Sequence, residues 1–254
     1  GTSLTAIGQL ALAANTTANE NTAVGRLALL VNTTGAQNTA VGTYALDANT
    51  TAAQNTAVGV CALTTNTTGA QNTAVGYGSL LFNTTGYNNS AFGREAMYAN
   101  TTGLENTGLG HSALQRNTTG CSNTAVGTQS LNTNTTGCSN TAVGLGALFD
   151  NTTAICNTAI GMNSLANNTT ANNNTAIGNS TLFDNTVGFS NVAVGAYAGQ
   201  NVTTGDCNVL IGNDAGENLT TGNNNIAIGR GAGTDAVGNL VTTNHFIILG
   251  NNSH

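Results

Sequence analysis

Ten acidic residues, three histidines and five cysteines are the side chains of this 254-residue chain suited to acid–base, nucleophilic or metal-ligating chemistry. Their spacing assembles none of it. His111, His245 and His254 sit in unrelated contexts with no paired carboxylate, whereas a catalytic base must lie within hydrogen-bond reach of its partner. Each reads as a solvated surface residue. Asp206, Asp214, Glu217 and Asp235 concentrate acid toward the C-terminal end, and calcium takes such oxygen ligands. No D-x-D-x-D-G loop or calcium-binding nonapeptide orders them, so solvated turns are the better reading. A glycan-cleaving site needs two carboxylates flanking one bond, and no pattern supplies them. The sequence therefore predicts no catalytic residue, no cofactor and no metal, and the protein reads as a non-enzyme.

Other side chains recur at an interval of 17 residues, which suits binding or modification better than catalysis. Asn-Thr-Thr starts at Asn15, Asn32, Asn49, Asn66, Asn83, Asn100, Asn117, Asn134, Asn151 and Asn168, and each copy is formally an N-glycosylation acceptor. Corner residues forming Asn and Thr ladders are the stronger reading. The same Thr columns could order water as an ice-binding surface would. Adjacent threonines at a glycine-flanked corner point different ways, however, and a T-x-T strand would suit that role better. Phe82, Tyr98, Phe149 and Phe183 gather beside this corner and are candidate glycan contacts, with gap-filling between coils or chains as the alternative. Cys121 and Cys138 share a phase. Neighbouring strands lie ~4.8 Å apart, within the separation a disulfide tolerates, so they are a candidate pair. Half-buried loop thiols are the alternative.

The elements carrying these residues follow from one sentence, approximately N-T-A-V-G-x-x-A-L-x-x-N-T-T-G-x-x. Its first glycine falls at Gly8, Gly25, Gly42, Gly59, Gly76, Gly93, Gly110, Gly127, Gly144, Gly161, Gly178, Gly195, Gly212 and Gly229 without a slip. So strict and short a period predicts an all-β parallel solenoid, or β-roll, of about fifteen coils, each burying its apolar face on its neighbours. At ~4.8 Å per coil the rod would be roughly 70 Å long. With Asn21 as position 1, positions 2 to 4 predict a short strand with Thr and Val/Ile on one face and Ala on the other. Gly at position 5 predicts a bend or close approach. Ala–Leu at positions 8 and 9 predicts a second short strand, and N-T-T-G closes the coil. Helix is excluded by the density of Gly, Asn and Thr.

Two regions follow. Residues 1–190 carry the regular repeat and 191–254 a variant one with a less regular last coil, including an extra segment around 235–239. In the variant, Leu at position 9 becomes Gly199, Gly216 and Gly233, Thr at position 2 becomes Val192, Val209 and Ile226, and Asn at position 12 becomes Val202 and Leu219. Volume lost at one site reappears at two others, as expected if these positions share one core. That core is thin: roughly two large aliphatics and two small residues per coil, worth ~5 kcal/mol before conformational entropy. Association around a shared axis would cover more apolar surface, so a homotrimer is expected.

Composition narrows the function classes. Charged residues are 6% of the chain, net charge is −6, and Arg26, Arg94, Arg116 and Arg230 are its only bases. Nucleic-acid binding through phosphates needs clustered Lys or Arg and is not expected. No apolar run approaches the ~20 residues of a membrane helix, so no membrane insertion is expected. Hydrophobic residues make up 39% at fixed phases, which argues for order over disorder. The chain opens almost inside its first repeat, at Leu4-Thr5-Ala6-Ile7-Gly8, with no basic segment ahead of an apolar run; the natural protein is expected to extend further.

The motif at Asn72–Gly86, N-T-A-V-G-Y-G-S-L-L-F-N-T-T-G, resembles repeats in the shafts of bacteriophage tail fibres, and N-V-A-V-G-A-Y-A-G-Q-N-V-T-T-G at Asn191–Gly205 resembles the form such fibres use near their distal ends. The x-A-V/I-G element is similar to the left-handed β-roll heads of trimeric autotransporter adhesins, which use a shorter repeat without the N-T-T-G insertion. The resemblance covers nearly the whole chain. It implies left-handed coils, trimers, an extracellular, cell-surface or virion location, and attachment to a surface, with cell-surface glycans as candidate partners. It carries no catalytic residue onto this chain. The expectation is a structural segment of an extracellular fibre or adhesin. A self-assembling head-to-tail filament subunit is the alternative, and an ice-binding solenoid ranks lower.

Overall fold

A computed structural model describes residues 1–234 and 241–250; Asp235, His254 and the segment around 235–239 lie outside the described residues. The chain forms two compact units, Gly1–Thr128 and Gln129–His254. Each is an all-β parallel solenoid, and the described residues contain no helix. The first unit carries β1 (Thr5–Ile7), β2 (Thr22–Val24), β3 (Thr39–Val41), β4 (Thr56–Val58), β5 (Thr73–Val75), β6 (Ser90–Phe92), β7 (Thr107–Leu109) and β8 (Thr124–Val126). The second carries β9 (Thr141–Val143), β10 (Thr158–Ile160), β11 (Thr175–Ile177), β12 (Val192–Val194), β13 (Val209–Ile211), β14 (Ile226–Ile228) and β15 (Ile247–Leu249). Within each unit the register advances by one repeat: Thr39 pairs with Thr56 and Ala40 with Ala57, and Thr158 pairs with Thr175. The sequence change at Asn191 falls inside the second unit.

The strand turns its small residue inward. Ala23, Ala40, Ala57 and Ala74 at position 3 have no exposed surface, while Thr at position 2 is half-buried and the aliphatic residue at position 4 is half-buried or exposed. Ile160 keeps 39% of its surface and Phe92 40%. The core is therefore thinner than the sequence suggests: Ala at position 3, Ala or Ser at position 8 and Leu at position 9 fill it, with a single large aliphatic per coil. Two buried asparagines complete each regular coil from Asn21 to Asn185.

The Ala–Leu segment is not a strand, contrary to the repeat's apparent pattern. It is a run of turns, closed by bonds such as Ala28 N–H to Gly25 O (3.4 Å) and Asn32 N–H to Leu29 O (3.4 Å). Coils still bond to one another through it, as Leu29 N–H does to Ala45 O at 3.0 Å. Leu at position 9 adopts a left-handed backbone, with φ of 50° at Leu29 and 52° at Leu63. That conformation costs roughly 1–2 kcal/mol for a residue with a Cβ, and full burial of the leucine side chain returns about 1.5–3 kcal/mol. Burial wins. Gly at position 5 answers a different demand. A Cβ on Gly76 (φ 135°) would lie 2.4 Å from the carbonyl oxygen of Gly93 in the next coil, so the coils stack backbone against backbone there.

Two asparagine ladders hold the interior. At position 1, the Asn38 N–H donates to Asn21 Oδ1 (2.8 Å), and Asn21 Nδ2 donates to Gly35 O (2.9 Å). At position 12, Asn49 Nδ2 donates to Asn32 Oδ1 (2.9 Å), and Asn32 Nδ2 donates to the same Gly35 O (2.9 Å). Buried amides need such partners, since an unmet one costs about 1–3 kcal/mol. The position-12 ladder stops where Val202 replaces asparagine, and Asn185 Oδ1 is left buried without a hydrogen bond.

The C-terminal exchange of volume is real but uses different positions from those expected. A Cβ on Gly199 would lie 2.5 Å from Leu210, 3.0 Å from Leu182 and 3.3 Å from Val202, and one on Gly216 would lie 2.6 Å from Leu210. Val202, Leu210 and Leu219 are fully buried. Position 12 thus shares the core as predicted. Position 2 does not: Val192 lies on the outer face with 37% exposure. The main filler is Leu210 at position 3, where the other strands from β1 to β14 place alanine or glycine.

Candidate functional site

The repeat gives each strand ladder an outward face lined by position 4. Val58, Phe92 and Leu109 in the first unit, and Ile160, Ile177, Ile211 and Ile228 in the second, are exposed at position 4. Within each unit they form an apolar column one residue wide, flanked by the half-buried threonines of position 2. From β12 onward Val192, Val209 and Ile226 replace those threonines and widen the apolar face.

The Asn-Thr-Thr corner presents threonine instead of asparagine. Asn32, Asn49, Asn66, Asn83, Asn100, Asn117, Asn134, Asn151 and Asn168 are fully buried, and Asn15 in the first coil is half-buried. Their amide nitrogens are engaged: Asn83 Nδ2, for example, donates to Asn66 Oδ1 (2.8 Å) and Gly86 O (2.9 Å). A glycan on such a nitrogen would displace the ladder bond that nitrogen donates. Of the two threonines, the first turns its hydroxyl onto the backbone, as Thr33 Oγ1 does to Thr50 O (3.0 Å), and the second is exposed.

Among the four aromatic candidates, the structure brings two together. Phe82 at position 11 and Tyr98 at position 10 of the next coil meet edge to face, with ring centroids 5.0 Å apart and planes at 88°. Tyr98 lies over Gly78, its Cδ2 and Cε2 3.5 and 3.6 Å from where a Cβ would be. Phe149 and Phe183 share the phase of Tyr98 but stand two coils apart in the second unit, half-buried, with Ala166 at that phase between them. Sequence reasoning missed the polar groups carried by the coil of Tyr98 and the coil that follows it. Glu95 takes a salt bridge from Arg94 (3.0 Å) at Oε1 and a hydrogen bond from Gln115 Nε2 (2.9 Å) at Oε2. Position 7 of one coil meets position 10 of the next, 20 residues away, and no run of residue types advertises that adjacency.

The remaining chemical groups are dispersed. Among the described residues no three His, Cys, Asp or Glu side chains are grouped to hold a metal ion. Cys121 belongs to the first unit and Cys138 to the second, both half-buried. His111 and His245 are exposed. Burial raises the pKa of the Asp47 carboxyl above the usual value, partly offset by backbone hydrogen bonds from Ala48 and its own amide. Its Oδ1 is buried without a partner. No helix among the described residues is long and apolar enough to cross a membrane.

Fold and surfaces together define a parallel β-solenoid repeat protein of 17-residue coils, with an apolar strand face and an asparagine-laddered interior. No protein-family model matches the chain, and no curated protein matches it.

Proposed function

We propose that this chain is a non-enzymatic structural segment of an extracellular fibre or adhesin, assembled as a homotrimer at a cell or virion surface. The observation that supports it best is the outward column at position 4. A sequence that repeats Val or Ile where a lone coil leaves it in water maintains an exposed apolar face, and such faces mark association surfaces. Identical chains carry matching columns at one spacing, so closed symmetry can cover every copy at once. The likeness of the repeats to tail-fibre shafts and trimeric adhesin heads supports the same assembly. Its work would be mechanical: each coil hydrogen-bonds to its neighbours, and several chains present repeated contacts to a surface with avidity.

Solution mass of the purified protein tests this. A discrete trimer at micromolar concentration is the expected result, and a monomer would contradict it. Open-ended polymers would replace the fibre segment with a filament subunit.

A further inference from the structure

We infer that Phe82 and Tyr98, with Glu95, Arg94 and Gln115, form a binding site for a neutral hexopyranose ring. The inference names a ligand for the attachment function proposed above and rests on that reading. Here Gly78 replaces a side chain at position 7, and the Tyr98 ring occupies the space above it. Phe82 completes an apolar shelf and keeps 43% of its surface in water. An edge-to-face pair holds both rings in fixed orientation, so a ligand stacking there meets a preformed surface.

The polar edge fits the same ligand class. Both Glu95 oxygens are held, one by Arg94 and one by Gln115, which fixes the carboxylate in place. Oε1 accepts from both Nε (3.2 Å) and Nη2 (3.0 Å) of Arg94, so it is Oε2, holding Gln115 alone, that keeps a second lone-pair direction for a hydroxyl donor. Arg94 is 64% exposed and its guanidinium has donors beyond those given to Glu95. An acceptor beside a donor matches two neighbouring hydroxyls of a sugar, while the apolar C–H face of the ring lies on the aromatics. The Arg94–Glu95 pair cancels its own charge, which favours a neutral sugar over an acidic one. Apolar surface with a few convergent polar groups is the usual composition of a small-ligand site. The site lies in the turn run between positions 6 and 11, outside the strand positions 2 and 4.

The test is saturation-transfer NMR on the intact protein with lactose, maltose, N,N′-diacetylchitobiose and methyl α-mannopyranoside as probes. Transfer to ring C–H protons of at least one probe is expected, with a dissociation constant of about millimolar. Phe82→Ala and Tyr98→Ala should weaken it at least ~10-fold, and Glu95→Gln about 3- to 10-fold, as expected on losing a contact worth about 1 kcal/mol. These variants keep the fold because Ala48 and Ala99 occupy the phase of Phe82, Ala166 that of Tyr98 and Gln129 that of Glu95. No transfer from any of the four probes, or transfer undiminished in Phe82→Ala, would overturn the site. Solution mass on the same samples separates the two readings. A trimer that binds no saccharide refutes the site alone, and a monomer refutes the fibre reading whatever it binds.

Discussion

Asn72 bonds in both directions along its ladder. Its N–H donates to Asn55 Oδ1 (2.9 Å), its Nδ2 donates to Gly86 O (2.8 Å), and its Oδ1 accepts from the N–H of Asn89 at 3.0 Å. Asn72→Ala would leave the buried Asn89 amide without its acceptor, while Gly86 O keeps the bond from Asn83 Nδ2 (2.9 Å), costing about 1–3 kcal/mol. Thr68→Ala, at the exposed corner position of the preceding coil, should change stability by no more than ~0.5 kcal/mol. Thermal or denaturant melts of the two variants check this contrast. Asp47 gives a pH signature. Its folded pKa is raised by burial, so its stabilising contribution is complete below the unfolded value of ~3.9 and is lost as pH rises through the folded value. Asp47→Leu, matching Leu30 and Leu81 at the same phase, should raise neutral-pH stability by about 1 kcal/mol, roughly 2–4 °C in Tm. Melts at pH 7 and pH 4 should show that the gain shrinks at the lower pH.

The coil is the scale at which sequence and structure diverge. Period, the strand at positions 2 to 4 and the glycine bend were legible because a strict 17-residue interval leaves few alternatives. Alternation alone cannot say which strand face is inward. The interior is already occupied by Leu29 and by Asn21 and Asn32, leaving room for Ala23 and pushing Val24 out. The left-handed leucines were equally hidden, because leucine does not favour that backbone; Gly199 and Gly216 at the same phase, with φ of 60° and 61°, were the available clue. The Phe82 and Tyr98 candidates proved adjacent, but Glu95 and Gln115 needed the coil-to-coil geometry to be found. Leu210 offers a direct test of the packing. Leu210→Ala should open space beneath both Gly199 and Gly216 and cost about 2–5 kcal/mol. Adding Gly199→Leu restores the leucine-over-alanine arrangement of the regular coils and should recover part of the loss, which a double-mutant cycle by denaturant melts would measure.

Across the molecule, the same choice that makes the core small makes the outer face apolar. Each coil gains little from its alanines and leucine, so interior stability leans on hydrogen-bonded asparagine, and the aliphatic side chains of position 4 stand outside in both units. Covering them with identical chains would add burial of about 25 cal/mol per Å² of apolar surface without changing the coil. The most direct test is the solution mass of the wild-type protein beside a variant carrying Val24→Thr, Val41→Thr, Val58→Thr and Val75→Thr. Threonine keeps the β-branched strand preference while removing the apolar column of β2 to β5. The predicted result is a wild-type trimer at micromolar concentration and a variant with unchanged circular dichroism whose association is at least ~100-fold weaker. A monomeric wild type, or a variant that assembles as tightly, would contradict the account.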